Sequence, residues 1–223
     1  MRLVLAALAL VLLAAPASSQ SQYADGEGLY VSFDEFRVRH SGGEFQRVDL
    51  GGEVGRRLGN GIDVGLVGSY HRYGFSGGGA SWSAGVSASL TRPAPLGTIG
   101  RVRGVVSYGS TRIPNPSAFD RSYGQVDLSA TLARTVPVVG SIKLQPTVGV
   151  YGRMTQLLSV GSEDVRPRPD GPLFDTGVQV ELPIQFRLFG ADVALAPAMR
   201  FSIPDGLRRE PYGFAGSLLR VNF

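Results

Sequence analysis

The residues best suited to chemistry are few, since the chain of 223 residues holds two histidines, His40 and His71, and no cysteine. Ser69 and His71 stand two apart, so on an extended strand they share a face. A hydroxyl beside an imidazole is the minimal arrangement for an activated nucleophile. No carboxylate can be assigned from the sequence to orient that imidazole, and residues two apart on a strand are commonplace. The simpler role of His71 is that of a polar side chain hydrogen-bonded to its neighbours. His40, beside Gly42-Gly43, reads as a solvated turn residue. Asp164 and Asp170 do not match the spacing of a calcium loop. No catalytic, metal or cofactor set is expected, and the chain is read as a non-enzyme.

A second group of residues is larger. Asp49, Glu53, Asp63, Arg101, Arg103, Asp127, Lys143, Arg153, Asp175, Glu181 and Arg187, with Arg47, Asp192 and Arg200, fall at alternate positions between apolar residues. They mix both signs. Gathered into a narrow space, opposite charges can satisfy one another as a plug; a thin polar channel for small solutes is the alternative. The segment from Ser159 to Pro172, carrying Glu163, Asp164, Arg166, Arg168 and Asp170, is the richest exposed stretch and the expected place for an external ligand.

Positioning such residues on one face requires strands. From Ser81 to Thr91, Trp82, Ala84, Val86, Ala88 and Leu90 alternate with serine, glycine and threonine, a period of two that no helix writes. Ile62, Val64, Leu66 and Tyr70 oppose Asp63, Gly65, Ser69 and His71, with Val67 as an apolar exception; Val48, Leu50 and Val54 oppose Asp49, Gly51 and Glu53. Asn60-Gly61 between these two segments supplies the positive-φ residues of a tight hairpin. The pattern recurs through Val102–Tyr108, Gln125–Leu132, Ile142–Met154, Phe174–Arg187, Asp192–Phe201 and Tyr212–Phe223. With a weaker first strand over Gly28–Arg39, ten strands are expected. Tight turns near Gly59-Asn60, Pro93–Gly97, Val136–Gly140 and Phe189-Gly190 alternate with longer connections at Gly74–Gly79, Gly109–Ser122, Leu157–Pro172 and Pro204–Pro211, apart from a short turn at His40–Gly43. Pro146, Pro183 and Pro197 interrupt proposed strands, because proline cannot donate to a ladder; if they end strands, eight becomes the better count.

The fold class expected is therefore all-β, a closed antiparallel transmembrane barrel whose apolar face meets lipid and whose polar face lines the lumen. Aromatic residues gather near one set of strand ends: Phe36, Phe45, Tyr70, Trp82, Tyr108, Tyr123, Tyr151, Phe174, Phe201 and Tyr212, with Phe186, Phe189 and Phe223 at the other. Residues 1–19 read as a signal peptide, with Arg2, an uncharged run from Leu3 to Ala17 and small residues Ala15-Pro16-Ala17; residues 20–223 form the barrel domain. A net charge of +4 spread over scattered single residues is a poor footprint for nucleic acid, which is not expected as a partner.

The chain closes on Ser217-Leu218-Leu219-Arg220-Val221-Asn222-Phe223, with Leu219 and Val221 on the face of the terminal Phe223. This resembles the C-terminal assembly signal of bacterial outer-membrane β-barrel proteins. Together with the export signal and the aromatic belt, the chain is similar to small barrels of the outer-membrane protein A or W type. The resemblance implies residence in the bacterial outer membrane and contact with its lipid. It also implies insertion by the barrel-assembly machinery and a structural, surface-interaction or porin-like role. Some small barrels are enzymes that modify lipids with a histidine and a serine, or cleave proteins with acidic pairs and a histidine; only His40 and His71 are available here for either.

Overall fold

The computed structural model describes residues 28–41, 44–73, 78–113, 119–162, 164, 171–203 and 213–222. Residues 1–19, expected to be a signal peptide, lie outside them, as do Tyr212 and Phe223. Among the described residues thirteen strands follow one another: β1 (Gly28–Ser41), β2 (Glu44–Leu58), β3 (Ile62–Tyr73), β4 (Ala80–Ala94), β5 (Thr98–Ile113), β6 (Phe119–Ala133), β7 (Val136–Val139), β8 (Ile142–Leu144), β9 (Thr147–Val160), β10 (Leu173–Glu181), β11 (Ile184–Leu188), β12 (Ala191–Ser202) and β13 (Gly213–Asn222). Ten of them close a ring in the order β1-β2-β3-β4-β5-β6-β9-β10-β12-β13, with β13 returning to β1 and every pairing antiparallel. Closure leaves no edge strand in the ring to template association.

The remaining three strands explain the prolines. β7 prolongs β6, β8 prolongs β9 and β11 prolongs β10, each across a two-residue interruption at 134–135, 145–146 and 182–183. The prolongations pair among themselves and with β12. Proline has no N–H to give, but its carbonyl still accepts. The amide of Arg134 donates to Pro146 O at 3.2 Å, that of Gln145 to Pro183 O at 2.8 Å and that of Leu182 to Pro197 O at 3.0 Å. The interruptions therefore fall side by side and are bridged strand to strand. Pro146 and Pro183 break strands without ending them, and Pro197 stays within β12 opposite Ser217, so the count remains ten rather than eight.

Turn chemistry follows the sequence at the first hairpin. Asn60 and Gly61 adopt φ of 62° and 66°, the left-handed values that asparagine and glycine tolerate best. The Thr91 amide donates to Gly61 O at 2.8 Å and the Arg92 guanidinium to Asn60 O at 2.6 Å, tying the turn to β4.

Several boundaries differ from expectation. Val136–Val139 is a strand, and its turn lies at Gly140-Ser141, because the glycine with φ of 56° stands there. His40 belongs to β1 and pairs with Phe45 rather than sitting in a turn. β5 and β6 run on to Ile113 and from Phe119, which shortens the long connection expected over Gly109–Ser122. Their two-residue alternation persists beyond the apolar stretch with polar residues on both faces, so pairing outlasts the hydrophobic signal.

The burial pattern inverts that of a water-soluble protein. Leu66 (68 % exposed), Val86 (56 %), Leu128 (59 %) and Val102 (58 %) point outward, whereas Asp63 (1 %), Glu53 (6 %) and Gln145 (0 %) are enclosed. Among the described residues no helix is long and apolar enough to cross a membrane, a statement that leaves a strand-built crossing untouched.

Candidate functional site

The lumen near the tight-turn end holds a connected charge network supplied by six neighbouring strands. Asp63 of β3 is its centre. Arg57 of β2 donates to both of its carboxylate oxygens, Nε at 2.6 Å and Nη2 at 3.0 Å, the paired geometry that a planar guanidinium offers a carboxylate. Arg101 of β5 reaches Asp63 Oδ2 at 3.3 Å and Arg220 of β13 reaches the same oxygen at 3.4 Å. The Ser89 hydroxyl of β4 joins at 3.4 Å and itself accepts from Arg101.

A second carboxylate is wired to the first through an aromatic ring. The Arg220 guanidinium lies 3.6 Å from the centroid of Tyr30 of β1, a cation over the face of a fully buried ring. The Tyr30 hydroxyl donates to Glu53 Oε1 at 2.5 Å, Arg103 donates to Glu53 Oε2 at 2.7 Å and Ser87 donates to Oε1. Room for the Tyr30 ring comes from Gly55 of β2, where any Cβ would collide with its phenol end, and Gly65 of β3 leaves room for the Glu53 carboxylate that the phenol meets. Short-range period-two alternation on each strand aims these groups inward; ring closure through β13 brings Arg220 to Asp63, 157 positions earlier.

The opposite wall, at the strand interruptions, is enclosed by neutral hydrogen-bonding groups beside one buried cation, Arg134. Gln185 Nε2 donates to Gln145 Oε1 at 2.7 Å, Gln145 Nε2 donates to Thr135 Oγ1 at 3.0 Å, and the Thr147 hydroxyl donates to Gln145 O at 2.8 Å. Pro183, Ala133, Ala194 and Ala196 fill the space around this amide relay.

Toward the other end the lumen becomes rich in hydroxyls. Thr111 Oγ1 donates to Ser81 Oγ at 2.8 Å, Ser81 Oγ lies 3.4 Å from the Tyr123 hydroxyl, and Ser69 Oγ lies 2.8 Å from Ser83 Oγ. Ser69 Oγ is also 3.3 Å from His71 Nε2, so the pair singled out by sequence does meet. Asp49 stands directly across from His71 in the β2–β3 register; its side chain lies outside the description. Register thus places a carboxylate-bearing residue where spacing alone assigned none.

Of the charged residues expected in the lumen, Glu53, Asp63, Arg101 and Arg103 form the network just described. Asp127 and Arg153 form a separate pair at 2.5 Å, with Gln125 donating to the same carboxylate and Asp175 directly across from Arg153. Glu181 accepts from Gln179 at 3.4 Å. Lys143 lies on β8, beyond the interruption. Arg187 stands across from Asp192 of β12, beyond the last pairing of β11 with β8 at Gln185; it is exposed and donates to Gly190 O in its own turn at 3.5 Å, apart from the network above. Arg57, Arg220 and Tyr30 were not foreseen. Extending the alternation Gly51, Glu53, Gly55 by one step reaches Arg57, and Arg220 sits opposite the Leu219–Val221 face of the terminal strand, so both carried a signal. Tyr123 and Tyr151, assigned to the aromatic belt, instead occupy lumen positions. A Cβ at Gly109 would come within 2.5 Å of Tyr123 Cζ, and one at Gly177 within 2.7 Å of Tyr151 Cε1: each ring lies across a glycine of the neighbouring strand. Asp164, in the charged loop, is held by Arg121 of β6.

A closed antiparallel ring of ten strands with a polar interior defines the class of fold. Among solved structures the chain is similar to the crystal structure of the beta domain of the Bordetella autotransporter BrkA, with a TM-score of 0.54 over 89 % of this chain and 98 % of that one, at 13 % identity. At that identity the likeness carries the fold. No protein-family model matches the chain, and no curated protein matches it.

Proposed function

We propose that this protein is an integral barrel of the bacterial outer membrane, inserted by the barrel-assembly machinery, with a structural or surface-interaction role and a lumen closed by its own salt bridges. The carrying observation is the inversion of burial: large apolar side chains such as Leu66 and Val86 are the exposed ones, while Asp63 and Glu53 are enclosed. Covered by lipid, the outward face needs no second layer, and the closed ladder satisfies its own backbone. On β4 the uncharged outward row runs from Trp82 to Leu90. At about 3.3 Å per residue and a tilt of about 40° it spans about 20 Å, close to the apolar band of a membrane barrel.

Inside, Asp63 accepts from arginines on three different strands, which ties strands far apart in sequence across the lumen. Both signs interleave, two carboxylates among four arginines, rather than forming a track of one sign, which favours a plug over a conduit. No enzymatic role is assigned. Conductance of the refolded mature chain in a planar bilayer tests the reading, with heat-modifiable gel migration reporting that the barrel has formed. A folded, silent wild type that conducts once Glu53→Ala and Asp63→Ala are combined is the expected result. Steady conductance of the wild type would replace the plug with a passive pore for small solutes.

A further inference from the structure

Two exposed arginines stand on the outward face at the rim opposite the tight turns. Arg72 of β3 pairs in register with Ala80 of β4, and Ala80 pairs with Arg112 of β5, so the two arginines flank a single small residue. Adjacent strands lie about 4.8 Å apart, which puts the two backbones about 10 Å from one another. Arginine side chains are long enough to converge over a methyl group at that separation.

The surroundings fix the depth of the pair. Tyr70, Trp82 and Tyr108 lie on the same outward face, two to four residues toward the barrel's middle, each a little under half exposed. Trp82 and Tyr108 meet edge to face at 5.7 Å. Tyrosine and tryptophan prefer the headgroup level, so the arginines just beyond them are at the height of headgroup charge. Between this rim and Arg92 at the other one, the outward rows of β3, β4 and β5 carry no charged residue. Asp120, opposite Arg112 on β6, is the acidic neighbour in register. Its carboxyl group also lies close to Gly161, just past the end of β9, where an added Cβ would fall within 2.7 Å of the carboxyl carbon.

We infer that Arg72 and Arg112 form a phosphate-binding site for a phosphorylated glycolipid of the outer leaflet. The sugar phosphate sits between the two guanidinia above Ala80, and the acyl chains descend along Trp82 and Tyr108. Guanidinium recognises phosphate through paired N–H donors, and two of them across a small residue hold one anion from both sides. The site rests on the membrane reading above, since only a barrel inserted with its termini on the periplasmic side turns this rim outward.

Native mass spectrometry of the refolded mature chain, incubated in detergent micelles with bis-phosphorylated lipid A, tests it. Wild type is expected to retain lipid adducts, with binding weakened about thirtyfold in Arg72→Gln/Arg112→Gln. Arg92→Gln, at the opposite rim, should bind like wild type, and dephosphorylated lipid should bind like the double variant. Heat-modifiable migration checks that each variant is folded. A folded double variant with wild-type adducts, or equal binding of the dephosphorylated lipid, overturns the site while leaving the membrane reading intact. A mature chain that folds and stays soluble without detergent overturns both.

Discussion

At the tight-turn end of the barrel, two walls of the lumen are filled by different chemistry. On the wall formed by β13 and β1 to β5 the strands are regular, and the interior is filled by two carboxylates and four arginines around Tyr30. On the wall where β6, β9 and β10 are interrupted, it is filled by two glutamines, Thr135, Thr147 and Pro183, with Arg134 the buried cation beside them. A regular ladder satisfies its own backbone, so its inward side chains are free to be charged and to pair with one another. Where the ladder is interrupted, backbone groups compete for partners. Glutamine, which both donates and accepts, suits that wall: the Gln145 amide donates to Pro183 O while its side chain relays between Thr135 and Gln185.

The sharpest break in this contrast is at Asp63. Asp63→Ala removes the shared acceptor of Arg57, Arg101 and Arg220 and leaves enclosed guanidinia without it. Removing one partner of a buried charge set destabilises by about 3–5 kcal/mol, because the remaining charge is left in a poor solvent. Fluorescence of the single tryptophan, Trp82, during urea unfolding of the refolded barrel measures it. A loss below about 1 kcal/mol would mean that water reaches the network and that the plug is open.

The neutral wall should respond less. Gln145→Leu keeps approximate volume but leaves Gln185 and Thr135 without the relay between them, a loss of about 1–3 kcal/mol by the same unfolding measurement. If Gln145→Leu equals or exceeds Asp63→Ala, the ordering reverses, and the interrupted wall, not the charged one, holds the tight-turn end together.

Much of this was legible before any coordinates, and the reasons are local. Inward and outward faces follow from a period of two that each strand writes for itself, so Glu53, Asp63, Arg101 and Arg103 could be placed in the lumen by counting. Which of them meet could not be counted, because Arg220 reaches Asp63 only through closure of β13 onto β1. Parity also says nothing about neighbours: Ser87 reads as an indifferent inward serine, yet it donates to Glu53. Tyr123 and Tyr151 were misplaced because composition near a strand end suggested a lipid belt, whereas their parity puts them inside, against Gly109 and Gly177. Arg187 follows the same parity, but it lies past the last pairing of β11 with β8 at Gln185, so it is exposed and bonds its own turn.

The smallest effect separates proline as a cause of the interruptions from proline as a residue they tolerate. Pro197 lies within β12, is exposed, and keeps its register with Ser217. Its one structural duty at the interruption is a carbonyl that accepts from the Leu182 amide at 3.0 Å, and alanine carries the same carbonyl. Pro197→Ala should therefore lose only the entropic restraint that proline places on the unfolded chain, about 0.4–1 kcal/mol. A loss well above 2 kcal/mol would show that the fixed φ of Pro197 sets the position of the neighbouring strand. The interruption at 182–183 would then be imposed from β12 rather than by Pro183 in the broken strand itself.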